Sequence, residues 1–262
     1  MNNNESLTKD EAKKLLLLAI LSGKIMLKNG AETYRVEDTI ERICKSRKGV
    51  KYANVFSTPT GIFVSIEIED EVLSHIMRVK TIKIDLNKIN LVNDFSREFV
   101  SSNMSIDEGF RRLNEIDKIK SYKPILKCFV GGICCAFFSL LFQGGFREFL
   151  SSFLIGFMVV LTITKLDKYK MTFFINNFIG AIVASLLAIL ISSIGITQDI
   201  NNMIISSIMP LVPGVAITNA MRDTISGDFV SGLSRAMEAV FSALAIAFGV
   251  GLVLNIYFRG LL

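Results

Sequence analysis

The residues best placed to do chemistry lie between Pro210 and Glu238, in PLVPGVAITNAMRDTISGDFVSGLSRAME. Pro210 and Pro213 stand three apart with Gly214 beside them in an uncharged run, a trio that breaks a membrane helix. The freed backbone groups must then be met by neighbouring helices, side chains or water. Asn219, Arg222, Asp223, Asp228, Arg235 and Glu238 follow at once. Secondary transporters build solute sites from broken helices with polar groups close by, and ionisable groups near membrane depth are functional by default. A proline-kinked helix followed by an ordinary polar loop is the plainer reading of the same residues.

Other constellations are weaker. Glu238 follows Arg235 by three residues on one helix face, so it is an interfacial ion-pair partner or a gating, proton-binding carboxylate. Asn176 and Asn177, near the start of an apolar run, could complete a polar cavity with this group. Glu32, Arg35, Asp38 and Arg42 form a polar helix face that is either solvated and salt-bridged or binds an anion. Asn29-Gly30-Ala31-Glu32 precedes it, and exposed amides at a helix start attract anions. Thr58-Pro59-Thr60-Gly61 is a hairpin turn, or a tip that meets the membrane part. His75 is the only histidine and has no Cys or Ser neighbour at a triad spacing. No nucleotide-binding glycine motif is present, so any driving force is an ion or proton gradient.

The elements that must position these residues fall into two halves. Residues 1–122 hold 20 of the 29 Lys+Arg and 18 of the 24 Asp+Glu, although the chain as a whole is 51% hydrophobic. Net charge is +5, without the Arg-rich aromatic stripe that nucleic acid needs. Four cysteines (Cys44, Cys128, Cys134, Cys135) have neither metal nor disulfide spacing. No signal peptide is expected in the polar opening MNNNESLTKDEAKK.

The first half reads as an α+β domain over 1–122. Thr8 with Glu11 is a capping box opening a helix of about five turns, which Asn29-Gly30 ends. A second helix runs over 31–47 with Val36, Ile40 and Ile43 on its apolar face. Strands are expected at 52–57, 61–69 and 75–83, a helix at 86–101, and a last helix opened by Ser105 and Glu108. The second half, 123–262, reads as five spans at about 125–146, 149–166, 171–194, 200–221 and 236–258, the fourth broken by Pro and Gly. Lys and Arg cluster before span one (Arg111, Arg112, Lys118, Lys120, Lys123, Lys127), between spans two and three (Lys165, Lys168, Lys170) and between spans four and five (Arg222, Arg235). By the positive-inside rule these segments are cytoplasmic, which places the N-terminal domain inside and the C-terminus outside. No internal repeat is visible, so one set of five spans is expected to be half of a functional unit.

Three stretches carry a resemblance: NGAETYRVEDTIERI at 29–43, STPTGIFVSI at 57–66, and VPGVAITNAMRDTISGDFVSGLSRAMEA at 212–239. They are similar to the threonine/serine exporter family, and the chain resembles its stand-alone N-terminal-type subunit with five spans. The family motifs fall on Gly30, Glu32, Arg35, Glu37, Asp38 and Arg42, on Pro59, Thr60 and Gly61, and on Pro213, Gly214, Asn219, Arg222, Asp223, Gly227, Asp228, Gly232, Arg235 and Glu238. The resemblance implies an inner-membrane (plasma-membrane) exporter of small polar metabolites, threonine and serine or, in a split two-subunit branch, succinate. It also implies a second, separately encoded five-span membrane subunit. A hydrolase activity once suspected for the family's soluble domain finds no nucleophile–base pair here.

The expectation is therefore an exporter subunit with a small-molecule substrate (amino acid or dicarboxylate) and the lipid bilayer, a second subunit or a further copy of the chain as partners. No cofactor, metal or nucleic acid is expected. The broken span would hold the substrate carboxylate, Arg222 and Arg235 would draw anions, and Asp223, Asp228 and Glu238 would bind an ammonium group or a proton. The alternatives are a membrane-anchored hydrolase or a metabolite sensor, either one using residues 1–122.

Overall fold

The structure is a computed structural model that describes residues 7–80, 83–169, 171–197 and 199–260. Lys170 of the basic loop and residues 81–82 of the expected third strand lie outside the described residues. The chain divides into two compact units, one of residues 1–121 with 217–236, the other of 122–216 with 237–262.

The first unit is built around α1 (Lys9–Lys28), opened by the Thr8–Glu11 capping box. Ala12, Leu15, Leu18, Ala19, Ile20, Ile25, Met26 and Leu27 are all buried. A helix apolar on most of its faces must be wrapped on all sides. α2 (Thr33–Lys45) covers one flank with Val36, Ile40 and Ile43, and its solvent face carries the ion pairs Asp38–Arg42 and Glu41–Lys45. β1 (Val50–Thr58), β2 (Gly61–Ile68) and β3 (Glu71–Arg78) form an antiparallel meander in that order. Ile62, Val64, Ile66 and Ile68 of β2 turn inward, while Phe63 of β2 is exposed opposite Phe56 and Ile76. α3 (Leu86–Ser101) and α4 (Ile106–Lys118) close the core, with Phe99 and Leu113 fully buried.

The third strand starts four residues earlier than the alternation at 75–83 places it. The reason is the turn before it, where Glu69 and Asp70 both have positive φ (49° and 65°). A two-residue hairpin turn needs that geometry at both central positions and is usually signalled by Asn-Gly, which Glu-Asp does not resemble. At its far end the Val79 N–H bonds the Thr60 carbonyl at 2.9 Å.

The second unit contains α5 (Pro124–Leu141), α6 (Phe146–Leu166) with a single 3-10 turn after it, α7 (Phe173–Ser193) and α8 (Ile200–Ser207), followed by a 3-10 turn at Met209–Leu211. α9 (Gly214–Ile225) and α10 (Phe229–Phe258) run through both units. Among the described residues, four helices are long and apolar enough to cross a membrane: 124–141, 146–169, 173–193 and 229–258. Residues 200–211 and 214–225 make a fifth if the pair, bent by 57° at the prolines, counts as one broken span. The core of this unit sets Ile155, Val159, Met203 and Ile204 against Ala181, Ala184 and Ala188, small residues that let membrane helices approach closely. A Cβ on Gly249 of α10 would stand 2.6 Å from the Phe178 carbonyl oxygen of α7.

Candidate functional site

Residues 217–236 bring the polar part of the 212–239 motif into the first unit, where it meets the 29–43 motif. The contact begins at a helix start. α2 has Glu32 at its N-cap position, but no side chain of its own caps it. Its first amide is met instead by Asp223 of α9, whose carboxylate accepts the Thr33 N–H at 3.2 Å. A carboxylate there satisfies an orphan donor and faces the positive end of the helix dipole. The anion at this helix start is thus the chain's own.

Asp223 is 0% exposed, and its other oxygen accepts Arg235 Nε at 3.0 Å. Arg235, 4% exposed, also donates to the Ala31 carbonyl at 2.7 Å. Asn219 Nδ2 donates to the Gly30 carbonyl at 3.0 Å. Gly30 ends α1 with φ +91°, the left-handed conformation that glycine adopts without cost. Three side chains of the 217–236 segment therefore grip the Gly30–Thr33 backbone from one side. Gly232 makes the grip compact, because a Cβ there would lie 2.2 Å from Thr224 Oγ1.

Further polar contacts surround this centre, some of them buried and some partly open. Glu32 takes Arg222 at 2.5 Å and Arg35 at 3.3 Å on its two oxygens. Thr33 Oγ1 donates to Asp228 at 3.4 Å. Glu37 accepts the Ser57 N–H at 2.6 Å, Ser57 Oγ donates to the Thr33 carbonyl at 3.3 Å, and Ser231 Oγ donates to the Ser57 carbonyl at 3.5 Å. Burial pushes the Glu37 carboxyl above its ordinary value. The Ser57 N–H opposes that shift, and the nearby Asp228 and Asp223 add to it.

A carboxyl whose pKa is raised on folding holds its proton more tightly in the native state. Its contribution to stability is then present below about pH 4.5, the unfolded value, and is lost as pH rises through the raised folded value. Glu37→Gln keeps the acceptor for Ser57 and removes the titration. Melting of the full protein between about pH 4 and 7 is expected to show the Gln variant gaining on the native protein as pH rises. A constant difference across that range would show that Glu37 does not titrate in this way.

Asp38 and Arg42 pair with each other on the exposed side of α2. Pro59 and Thr60 form the β1–β2 turn, Pro59 buried and Thr60 exposed, and Gly61 pairs with Thr58 and Arg78. In the second unit Pro210 sits in the 3-10 turn, Pro213 follows it, and Gly214 begins α9. Asn176 is buried at the start of α7, Asn177 is half-buried, and Glu238 is exposed on α10. Gly227, with φ +93°, lies in the turn between α9 and α10.

Sequence reasoning passed over Thr33, Ser57 and Ser231, whose signal is only their place inside or beside the motifs. It also passed over a polar ladder in the second unit. Asn202 of α8 accepts from Ser139 Oγ at 2.6 Å and donates to the Phe142 carbonyl at 3.0 Å, while Ser206 and Ser152 share a 2.7 Å hydrogen bond. Short side chains in an apolar run read as filler, yet buried among apolar helices each of them needs a partner.

Comparison with known proteins matches residues 17–257 to the ThrE family, described as "Putative threonine/serine exporter". A threonine/serine exporter of Corynebacterium glutamicum is 24% identical over 244 residues, 90% of this chain and 50% of that protein. Two uncharacterized proteins of Schizosaccharomyces pombe are 26% and 24% identical over 70% and 65% of this chain, which cover 25% and 21% of their lengths. The chain thus spans half, or less, of the curated relatives it matches. No solved structure matches. With the family match running from α1 to the end of α10, the chain belongs to the threonine/serine exporter family.

Proposed function

We propose that this protein is the working part, or one subunit, of an exporter that moves a small polar metabolite out across the plasma membrane, driven by an ion or proton gradient. Threonine and serine are the first candidate substrates, and a dicarboxylate such as succinate the second. The observation that carries the reading is the family match over residues 17–257, which takes in four membrane-length apolar helices and the broken pair at Pro210–Gly214. A solute site beside that break, with Asn176 at its edge, is supported by the general use of interrupted helices in transporters. The Lys and Arg of 111–127 and 165–168 support a cytoplasmic N-terminal unit and a C-terminus outside. In this reading the Asp223–Arg235 pair fastens the segment after the break to the N-terminal unit. Arg35, Arg222, Glu37 and Asp228, which remain partly accessible, do the gating together with the buried Glu32 that they surround. A second set of spans comes from a separate five-span subunit or a further copy of the chain.

The test is efflux from cells loaded with threonine, serine and succinate, with the chain expressed alone and together with a candidate second subunit. Accelerated loss of one solute class is expected in at least one arrangement. Unchanged efflux in both, with the protein present in the membrane at normal abundance, would overturn the reading.

A further inference from the structure

Residues 217–236 have two opposed faces, and the first unit uses only one of them. On α9, Ile217, Met221 and Ile225 stand four apart and share one side, since a helix turns by about 100° per residue. Asn219 and Asp223, which grip the Gly30–Thr33 backbone, each stand two residues further on, about 200° round the helix. α10 repeats the pattern. Phe229 and Leu233 stand four apart, and the buried Ser231 and Arg235 lie two residues on from each. The turn at 226–228 sets the two helices side by side. Asp223 pairs with Arg235 at 3.0 Å, and a Cβ on Gly232 would lie 3.1 Å from the Ala220 carbonyl oxygen. With both inner faces held on the first unit, both apolar rows come out on the other side.

That outer side is bare. Ile217, Met221, Ile225, Phe229, Val230 and Leu233 are all exposed, Ile225 at 83% and the last three at 66–68%. No charged residue stands in either row. Single apolar side chains on a surface need no explanation, but six on two adjoining helices form the kind of patch that marks a protein or membrane contact.

The rest of α10 identifies the occupant. From Leu233 the row continues at steps of three and four through Met237, Val240, Leu244 and Phe248, all of them exposed. The uncharged stretch 239–258 has 20 residues, a length of about 30 Å that matches the hydrocarbon core of a bilayer. Residues 229–238, with Arg235 and Glu238 among them, then fall at the boundary of that core. A helix with one polar and one apolar face lies in such a boundary, its apolar side about 5–10 Å into the headgroup and acyl region.

We propose that the outer face of residues 217–233 is a lipid-docking surface. α9 and the first turn of α10 lie along the boundary between headgroups and acyl chains, and their inner faces hold the first unit there. The segment that reads in sequence as a loop between spans four and five is then a membrane-bound element. The proposal needs α10 to cross a bilayer and does not depend on the exporter reading.

The chain has no tryptophan, so a single introduced one reports on its own position. The full-length protein is placed in nanodiscs of phosphatidylcholine and phosphatidylglycerol as Ile225→Trp, Phe229→Trp and Leu233→Trp. Phe248→Trp is the reference for the span, and Lys45→Trp the reference for the exposed side of α2. Fluorescence is read with lipids brominated on their acyl chains and, separately, with iodide in the buffer. The expected result for the Ile225 and Phe229 variants is a loss to brominated lipid comparable with that of Phe248→Trp and little loss to iodide. Iodide quenching equal to that of Lys45→Trp would put the face in water and overturn the proposal. Shielding from both quenchers would mean that protein covers the face, a second copy or another subunit, and would overturn the choice of lipid. Lipid quenching at Leu233 alone would mean that α10 merely enters the bilayer there, which also overturns it. Each position reads by itself, so a variant that fails to accumulate leaves the other two to decide.

Discussion

Arg235→Ala is expected to lower the unfolding stability of the first unit by about 3–5 kcal/mol, the cost of leaving one member of a buried ion pair behind. Asp223 would keep the Thr33 N–H but lose its only charge partner among the described residues, with no solvent to replace it. The Ala31 carbonyl would lose its 2.7 Å donor as well. Arg222→Ala is the control. It removes the same residue type from the same segment, but the Arg222 side chain is 56% exposed and its partner Glu32 keeps Arg35. With one member in solvent and the buried carboxylate still paired with Arg35, the loss should be nearer the 0–1 kcal/mol of a surface pair than that of a buried one, about 1 kcal/mol. The double variant Asp223→Asn, Arg235→Met removes the uncompensated charge and should recover much of the loss. Thermal melting of the purified full-length protein separates the cases. Equal melting of Arg235→Ala and Arg222→Ala would show that the buried pair does not fasten residues 217–236.

Phe99→Ala is expected to cost a similar amount, about 3–5 kcal/mol, through the cavity left by a buried ring. Phe99 is fully buried in the core of the first unit. The Phe95 ring lies 5.7 Å away, centroid to centroid. The Arg47 guanidinium stacks 4.4 Å over its face. Gly109 of α4 stands so close that a Cβ there would be 3.2 Å from the ring and 2.9 Å from Leu18. Gly109→Ala therefore crowds the native core but finds more room once Phe99→Ala has removed the ring, and the two substitutions should be non-additive. Denaturant unfolding of both single variants and the double variant measures the coupling. A loss below about 1 kcal/mol for Phe99→Ala would mean the core collapses around the gap more completely than close packing allows.

The first unit's local structure was legible because its signals are local. Ile89, Val92 and Phe99 set the period of α3, which has the bounds 86–101 read from the sequence. Thr8 with Glu11, and Ser105 with Glu108, mark the helix starts they cap. β3 slipped by four residues because its turn is made by Glu69-Asp70, a pair without the glycine or asparagine that signals such a turn. The candidate site was legible as a set of residues and not as an arrangement. Arg222, Asp223, Asp228 and Arg235 stand out as charges between apolar runs, but nothing in their spacing tells that Asp223 turns toward Thr33, 190 residues away, while Arg222 turns toward Glu32. Pairing across a tertiary contact has no period. Asn176 was visible as a polar residue near the end of a span.

The first unit is also assembled from two pieces of chain, 1–121 and 217–236, with residues 122–216 of the second unit made in between. On the ribosome this imposes an order in time. At about 5–20 residues per second, the roughly hundred intervening residues delay the second piece by about 5–20 s. During that interval the Thr33 amide and the Gly30 and Ala31 carbonyls wait for Asp223, Asn219 and Arg235. The first unit is therefore begun first but completed only after residues 122–216 of the second have been made. A nascent chain that stalls before Ile217 leaves that helix start without the carboxylate that meets its first amide.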